Sequence, residues 1–279
     1  MAYPQVSAPY GLKPINLIGG QVFSGSTRSL PIQYGYATDV GYGDFVKLVR
    51  GTIQRQAVST AGGAAGMVGI FLGCSFTNPV TKQKTFSQYW PSGTLAGDAV
   101  AIVCDDPDTV FKAVVCSSGT TVASGSIAMI GQNYQMIDNS VNLNTGDSTN
   151  ALLYSATLTT STFAMRAVGV VPETAITTSA TGSSSSTTIT LTGSGLPSAI
   201  PAGTSVAYVA SNGQLIETGS FVTTAAAAGS TSVTMNAAIA VPGSVTAIPA
   251  SSTIVFTQYP EMLVKINFGI HEYYTATAV

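Results

Sequence analysis

Charge is the scarcest ingredient of this chain. Asp, Glu, Lys and Arg make up 8% of its 279 residues, where soluble domains usually carry about 25%. Ten Lys and Arg stand against twelve Asp and Glu, a net charge of −2. A nucleic-acid binder needs a dense cationic face to neutralise phosphates, and this composition excludes one. Disorder is excluded as well, because 45% of the residues are hydrophobic and the mean hydropathy is +0.35. A surface this poor in charge is weakly protected against association, so neighbouring subunits are expected to cover much of it.

Other absences narrow the chemistry. The three cysteines, Cys74, Cys104 and Cys116, have no CxxC spacing. They form neither a disulfide framework nor a zinc site and read as buried strand residues. His271 is the single histidine; no GxSxG elbow accompanies it, and it reads as a surface or interface residue. No HExxH, Walker loop or GxGxxG before a helix occurs, so no cofactor is expected. Asp105, Asp106 and Asp108 around Pro107 lack the spacing of a calcium loop and read as a turn. Asp105 and Asp106 with His271 are the only combination that suggests a hydrolase, and the chain is expected not to be an enzyme. Lys82, Lys84 and Arg55 read as solvated cations, and the single tryptophan, Trp90, as core or interface. The N-terminus has no basic start followed by an apolar run, so no secretory signal is expected. The longest apolar stretches, such as Met67–Leu72, fall far short of the ~20 residues of a membrane span.

What is present is β-sequence. Asp44–Val49, Ile53–Val58, Met67–Cys74, Thr85–Trp90, Asp98–Cys104, Val110–Val115, Ala151–Thr157 and Ala164–Val171 are short runs rich in Val, Ile, Phe, Tyr and Thr. Each is closed by Gly, Pro, Asn, Asp or Ser, with a turn expected at Gly51–Thr52. The fold class is all-β, and short strands at this spacing indicate a sandwich or a small barrel for the main domain, residues 41–173 plus 259–279.

Composition changes near residue 173. From Ala167 to Val264 there is no Lys or Arg, and between Glu173 and Glu261 the only charged residue is Glu217. Residues 174–258 are Ser-, Thr- and Ala-rich, yet they contain an internal repeat. Thr188–Thr192 parallels Ser232–Asn236, 44 residues on; Ala199–Val206 parallels Ala247–Ile254, 48 residues on. A repeated strand–loop–strand unit has an apolar face to bury against its twin, so the segment reads as an inserted β module rather than a linker. Asn212–Gly213 marks a hairpin between Val206–Val209 and Leu215–Ile216. The chain then resumes with a strand at Pro260–Phe268, expected to pair with Met165–Val171.

Residues 1–40 carry Pro4, Pro9, Pro14 and Pro31 and four glycines up to Gly25. They are unsuited to an interior strand or helix. They also carry Tyr3, Tyr10, Leu12, Ile15, Leu17, Ile18, Val22 and Phe23. An extended N-terminal arm that packs on a neighbouring subunit, or on its own domain, accounts for both features. These eight residues are the candidate interface.

Seven short stretches carry a resemblance. They are Ala8–Gly20, Tyr42–Asp44 with Val46–Leu48, Gly69–Cys74 with Lys84–Trp90, Asp105–Asp108, and Arg166–Val171. Together they resemble virion structural proteins of tailed bacteriophages, marine ones especially, over residues 8–172 and 260–275. The resemblance implies a capsid decoration (cement) protein, a β-barrel or β-tulip with an extended arm. It would be made in the host cytoplasm and carried on the capsid surface. Its implied partners are the major capsid protein and copies of itself, as a dimer or trimer, with no nucleic acid and no membrane. In that picture the arm and barrel rim bridge capsid subunits and 174–258 points outward, open to contact with a host surface. A tail or neck component, or an adhesin, is the alternative.

Overall fold

A computed structural model describes residues 6, 8–57, 66–125, 127–154, 163–171, 174–181, 187–193, 195–197, 199–210, 212–237 and 253–274. In chain order the strands are β1 Lys13–Leu17, β2 Arg28–Pro31, β3 Phe45–Val49, β4 Thr52–Arg55, β5 Met67–Thr77, β6 Lys84–Ser87, β7 Val100–Cys104, β8 Thr109–Ser118, β9 Thr121–Val122, β10 Asn133–Tyr134, β11 Met136–Ile137, β12 Ala151–Leu153, β13 Met165–Val171, β14 Thr174–Thr181, β15 Thr188–Leu191, β16 Ser205–Val209, β17 Leu215–Phe221, β18 Ser232–Thr234, β19 Thr253–Gln258 and β20 Glu261–Ile266. Two single-turn 3-10 helices, Ile127–Met129 and Glu272–Tyr274, are the helical elements among the described residues. The fold is all-β and barrel-like.

Two compact units divide the chain. One comprises Ser7–Val122, Gly131–Val168 and Met262–Val279; the other is built on Gly169–Glu261 with Ala123–Ile130. In the first unit, one sheet runs β10-β13-β20-β8-β12-β11, with β1 and β9 also on β8. A second runs β2-β7-β5-β3-β4, with β6 on β5. The interrupted strand β13 and the resuming strand β20 are neighbours, the pairing expected from sequence. β5 opens with five consecutive buried residues, Met67–Phe71, and β8 is buried throughout Val110–Cys116 except at Lys112. Such unbroken apolar runs belong to strands covered on both faces. Trp90 lies in this core, fully buried, with its indole N–H donating to the Tyr36 carbonyl (3.1 Å) and its ring edge-on to Phe76.

Residues 8–40 are held on this unit. β1 pairs with β8 and β2 with β7, and Ile32, just past β2, also bridges Ile53 of β4. Along β1 and β2 themselves the ladder runs on one side, so Pro14 and Pro31 are tolerated where the missing N–H faces no partner. Residues 8–32 thus lie along their own domain rather than standing apart as an arm. Ile32 enters the core and donates its N–H to the Ala99 carbonyl (3.0 Å).

The second unit explains the internal repeat. β15 pairs antiparallel with β18 so that Ile189 faces Val233, and β16 pairs antiparallel with β19 so that Ala207 faces Val255. Both pairs are repeat-equivalent residues, so a local two-fold relates the copies. The symmetry extends to β14 and β17. Ala180 of β14 sits opposite Leu191, and Val222, just past β17, bridges Met235. That bridge returns β18 to the end of β17, so the order β17-β16-β19-β14-β15-β18 nearly closes into a barrel. Its core is filled by equivalent pairs: Ile189 with Val233, Leu191 with Met235, Val206 with Ile254, Tyr208 with Phe256. Residues 247–252 of the second repeat lie outside the described residues. The expected hairpin is present, with Val209 opposite Leu215 and Ala210 N–H donating to the Gln214 carbonyl (2.8 Å). This unit takes in Ala123–Ile130, which composition assigned to the other. Gly125 N–H bonds the Tyr259 carbonyl (2.7 Å), and Tyr259 N–H bonds Ser124 Oγ (2.8 Å).

Candidate functional site

The candidate interface residues divide by burial. Leu12 is fully buried in its own domain, its N–H bonded to the Gly43 carbonyl (3.2 Å), and has no surface to offer a partner. Tyr10 is half-buried beneath the ammonium of Lys13, 4.3 Å from its ring centroid. Leu17 and Phe23 are also half-buried, and Tyr3 lies outside the described residues. The exposed members are Ile15 (41%), Ile18 (50%) and Val22 (79%). Local backbone pairing puts them there. Leu17 N–H bonds the Gln21 carbonyl (2.8 Å) and Asn16 bridges Val22, so residues 16–22 form a tight hairpin at the end of β1. Ile18 N–H bonds the Asp108 carbonyl (2.9 Å), fixing the hairpin to the turn between β7 and β8. Ile15 on β1, and Ile18 and Val22 on the pinned hairpin, are thereby held in water.

The acidic turn forms as expected, with Asp108 N–H donating to Asp106 Oδ1 (2.9 Å) and Thr109 N–H to the Asp106 carbonyl (3.1 Å). Its carboxylates, however, are engaged. Asp105 Oδ2 accepts from the Arg28 guanidinium and from the Tyr273 hydroxyl, and Asp108 pairs with Lys265 (2.6 Å). Asp105 and His271 do meet, but His271 is 1% exposed, not a surface residue as the sequence suggested. Its segment bridges the start of β5, where Met67 N–H bonds the Ile270 carbonyl (3.3 Å), and this covers the ring. Nδ1 accepts from Tyr273 N–H (3.3 Å); Nε2 is buried without a well-formed hydrogen bond. Burial pushes the imidazole pKa down, opposed by the Asp105 backbone and by the Asp105 and Asp106 carboxylates. The cluster fastens the C-terminal turn, and its histidine has no open face toward a substrate.

A second polar cluster escaped the sequence reading. Asp44 is fully buried and accepts four hydrogen bonds: Gly41 N–H (2.8 Å) and Arg55 Nε (3.1 Å) at Oδ2, Ser148 Oγ (2.6 Å) and Asn150 Nδ2 (3.0 Å) at Oδ1. Arg55 Nη2 also reaches Asp138 (2.7 Å) and the Asn139 carbonyl (2.6 Å). Arg55 is therefore the cation of a largely buried pair, not a solvated one. Burial pushes the Asp44 carboxyl up, against the opposing pull of Arg55, Ser148 and Gly41. The hub ties strand β4 to the 138–150 loop. Of the other cations named from sequence, Lys84 pairs with Asp98 (3.0 Å) at the surface.

Cys74, Cys104 and Cys116 are buried and free on β5, β7 and β8. Burial pushes Cys74 to about 12 and Cys116 to about 11, and raises Cys104. These thiols stay protonated and unreactive at neutral pH. Among the described residues no group of three or more His, Cys, Asp and Glu side chains is placed to hold a metal ion. No helix among them is long and apolar enough to cross a membrane. No family model, curated protein or solved structure is similar to this chain.

Proposed function

We propose that this protein is a virion structural component, a capsid decoration protein that bridges and stabilises shell subunits. It is taken to act without catalysis or cofactor, at the capsid surface, with the major capsid protein and its own copies as partners. One observation carries the reading: β1 and the pinned hairpin at its end hold Ile15, Ile18 and Val22 in water. Holding apolar groups exposed is unfavourable for an isolated chain and favourable once a neighbour covers them. Burying the part of each that is still exposed contributes roughly 1–2 kcal/mol before association costs. Repeated over many copies on a shell, a modest interface becomes strong. A protein that binds the assembled form in preference to free subunits stabilises that form by mass action. The all-β architecture, the scarcity of charge and the sequence resemblance agree with this role. The test is location. Gold-labelled antibody against the chain should decorate phage heads in electron micrographs. Labelling confined to tails would reject the reading in favour of a tail or neck component.

A further inference from the structure

A cleft of about 520 Å³ opens on the outer face of the β6-β5-β7 sheet, lined by Lys13, Tyr42, Gly73, Phe86, Gln88 and Asp147 among others. Such a volume is within the ~300–1,000 Å³ range of small-ligand sites. Two local features hollow the sheet. The register of β5 against β7 shifts between Phe71 and Gly73, a bulge at Leu72 that bends the strand. Gly73 then lies at φ 139° with no side chain, and a Cβ there would stand 3.1 Å from the Ser87 carbonyl.

On β6, one strand over, Phe86 stands 80% exposed, an aromatic ring facing water at the cleft edge. The opposite wall is polar and rigid. Asp147 Oδ1 accepts from Gln88 Nε2 (2.8 Å), and the backbone around Asp147 is fixed to the Tyr42 segment, with Tyr42 N–H on the Gly146 carbonyl (2.9 Å) and Ser148 N–H on the Tyr42 carbonyl (2.8 Å). Among the described residues, the second Asp147 oxygen and the Tyr42 hydroxyl have no protein partner. The wall thus offers donors and acceptors side by side. The lining carries one charge of each sign, Lys13 and Asp147; Lys112, opposite Lys13 on β8, is not part of it.

Hydroxyl groups are both donors and acceptors, and a pyranose ring has an apolar C–H face suited to an aromatic platform. We propose that this cleft binds a neutral saccharide, with one sugar ring stacked on Phe86 and its hydroxyls bonded by Asp147, Gln88 and Tyr42. The proposal is independent of the assembly role.

The experiment is saturation-transfer NMR and calorimetry on the full-length chain with maltohexaose, cellohexaose and N-acetylglucosamine hexamer as probes. At least one should bind saturably. Phe86→Ala should weaken that binding about tenfold or more, and Phe86→Trp should preserve it, with the unfolding midpoint of both unchanged because the ring is exposed. No saturable signal from any probe at about 10 mM, or equal affinity in Phe86→Ala, overturns the proposal. Loss of shell attachment in Phe86→Ala without saccharide binding would also overturn it, marking the patch as a subunit contact and leaving the assembly role standing.

Discussion

Replacing Asp44 with Ala removes one acceptor from four donors at once: the Gly41 amide, Arg55, Ser148 and Asn150. Each buried donor left without a partner costs about 1–3 kcal/mol. The four costs do not add, since the Ser148 and Asn150 side chains can turn toward other partners. Arg55, with its side chain 15% exposed, loses its Nε partner but keeps Asp138 and the Asn139 carbonyl at Nη2. Breaking a buried ion pair from one side costs about 3–5 kcal/mol when the remaining charge is left alone, so the retained partners put this case at the low end. The expected loss is therefore ~3 kcal/mol, a large share of the ~5–15 kcal/mol that holds a domain folded. Asp44→Asn keeps the shape and one acceptor but loses the charge-assisted bond to Arg55, and should cost about 1.5–3 kcal/mol. Urea denaturation with linear extrapolation reads both values. Amide hydrogen exchange should show residues 139–150 losing protection first, because Asp138, Asn139, Ser148 and Asn150 all hang on this hub. A loss below ~1 kcal/mol for Asp44→Ala, with exchange in the loop unchanged, would refute the hub as a stabilising element.

Further outcomes follow from other sites. Arg50 and Gly51 join β3 to β4, both with positive φ (51° and 81°). This turn favours Asn-Gly, so Arg50→Asn should stabilise the chain by about 0.5–1 kcal/mol, read as a higher Tm. His271 has a folded-state pKa below its ordinary 6.5, so the unfolded chain takes up a proton first as pH falls. Stability should be full above pH ~6.5 and decline below it with a limiting slope of ~1.4 kcal/mol per pH unit until the folded pKa is passed; in His271→Phe that component of the slope should vanish in urea titrations. The three thiols should resist a thiol-reactive dye in the native state and react only after denaturation. Joint replacement of Ile15, Ile18 and Val22 with Ser should leave the unfolding midpoint nearly unchanged while weakening attachment to shells, measured by co-sedimentation.

Strand identity was legible because burial on one or both faces leaves apolar runs that need no tertiary information to recognise. Met67–Cys74 and Val110–Val115 show this, extended in the structure by three and four residues respectively. The repeat was legible too, but its meaning was not: the pairing of each strand with its twin depends on a two-fold that only the registers reveal. The N-terminal prolines correctly excluded an interior strand. They did not exclude edge strands, which need only one bonded side, and so β1 and β2 were missed. The turn at Gly51–Thr52 fell one residue late because Arg50 adopts a positive φ that its side chain does not advertise. Asp44, Arg55 and His271 were misjudged or passed over for a shared reason. Burial of a charged or titratable side chain requires partners distant in sequence, such as Ser148 for Asp44, 104 residues away. Nothing in the local pattern encodes such a partner. Phe86 looked like an ordinary strand residue; its exposure arises from its position on β6 at the sheet's outer face.

The most direct measurement is co-sedimentation of the purified chain with shells stripped of their decoration protein. The chain is expected to pellet with the shells in a saturable manner, and the shells to withstand higher temperature once it is bound. A chain that stays in the supernatant at every concentration, as a lasting 28.4 kDa monomer, would contradict the assembly role.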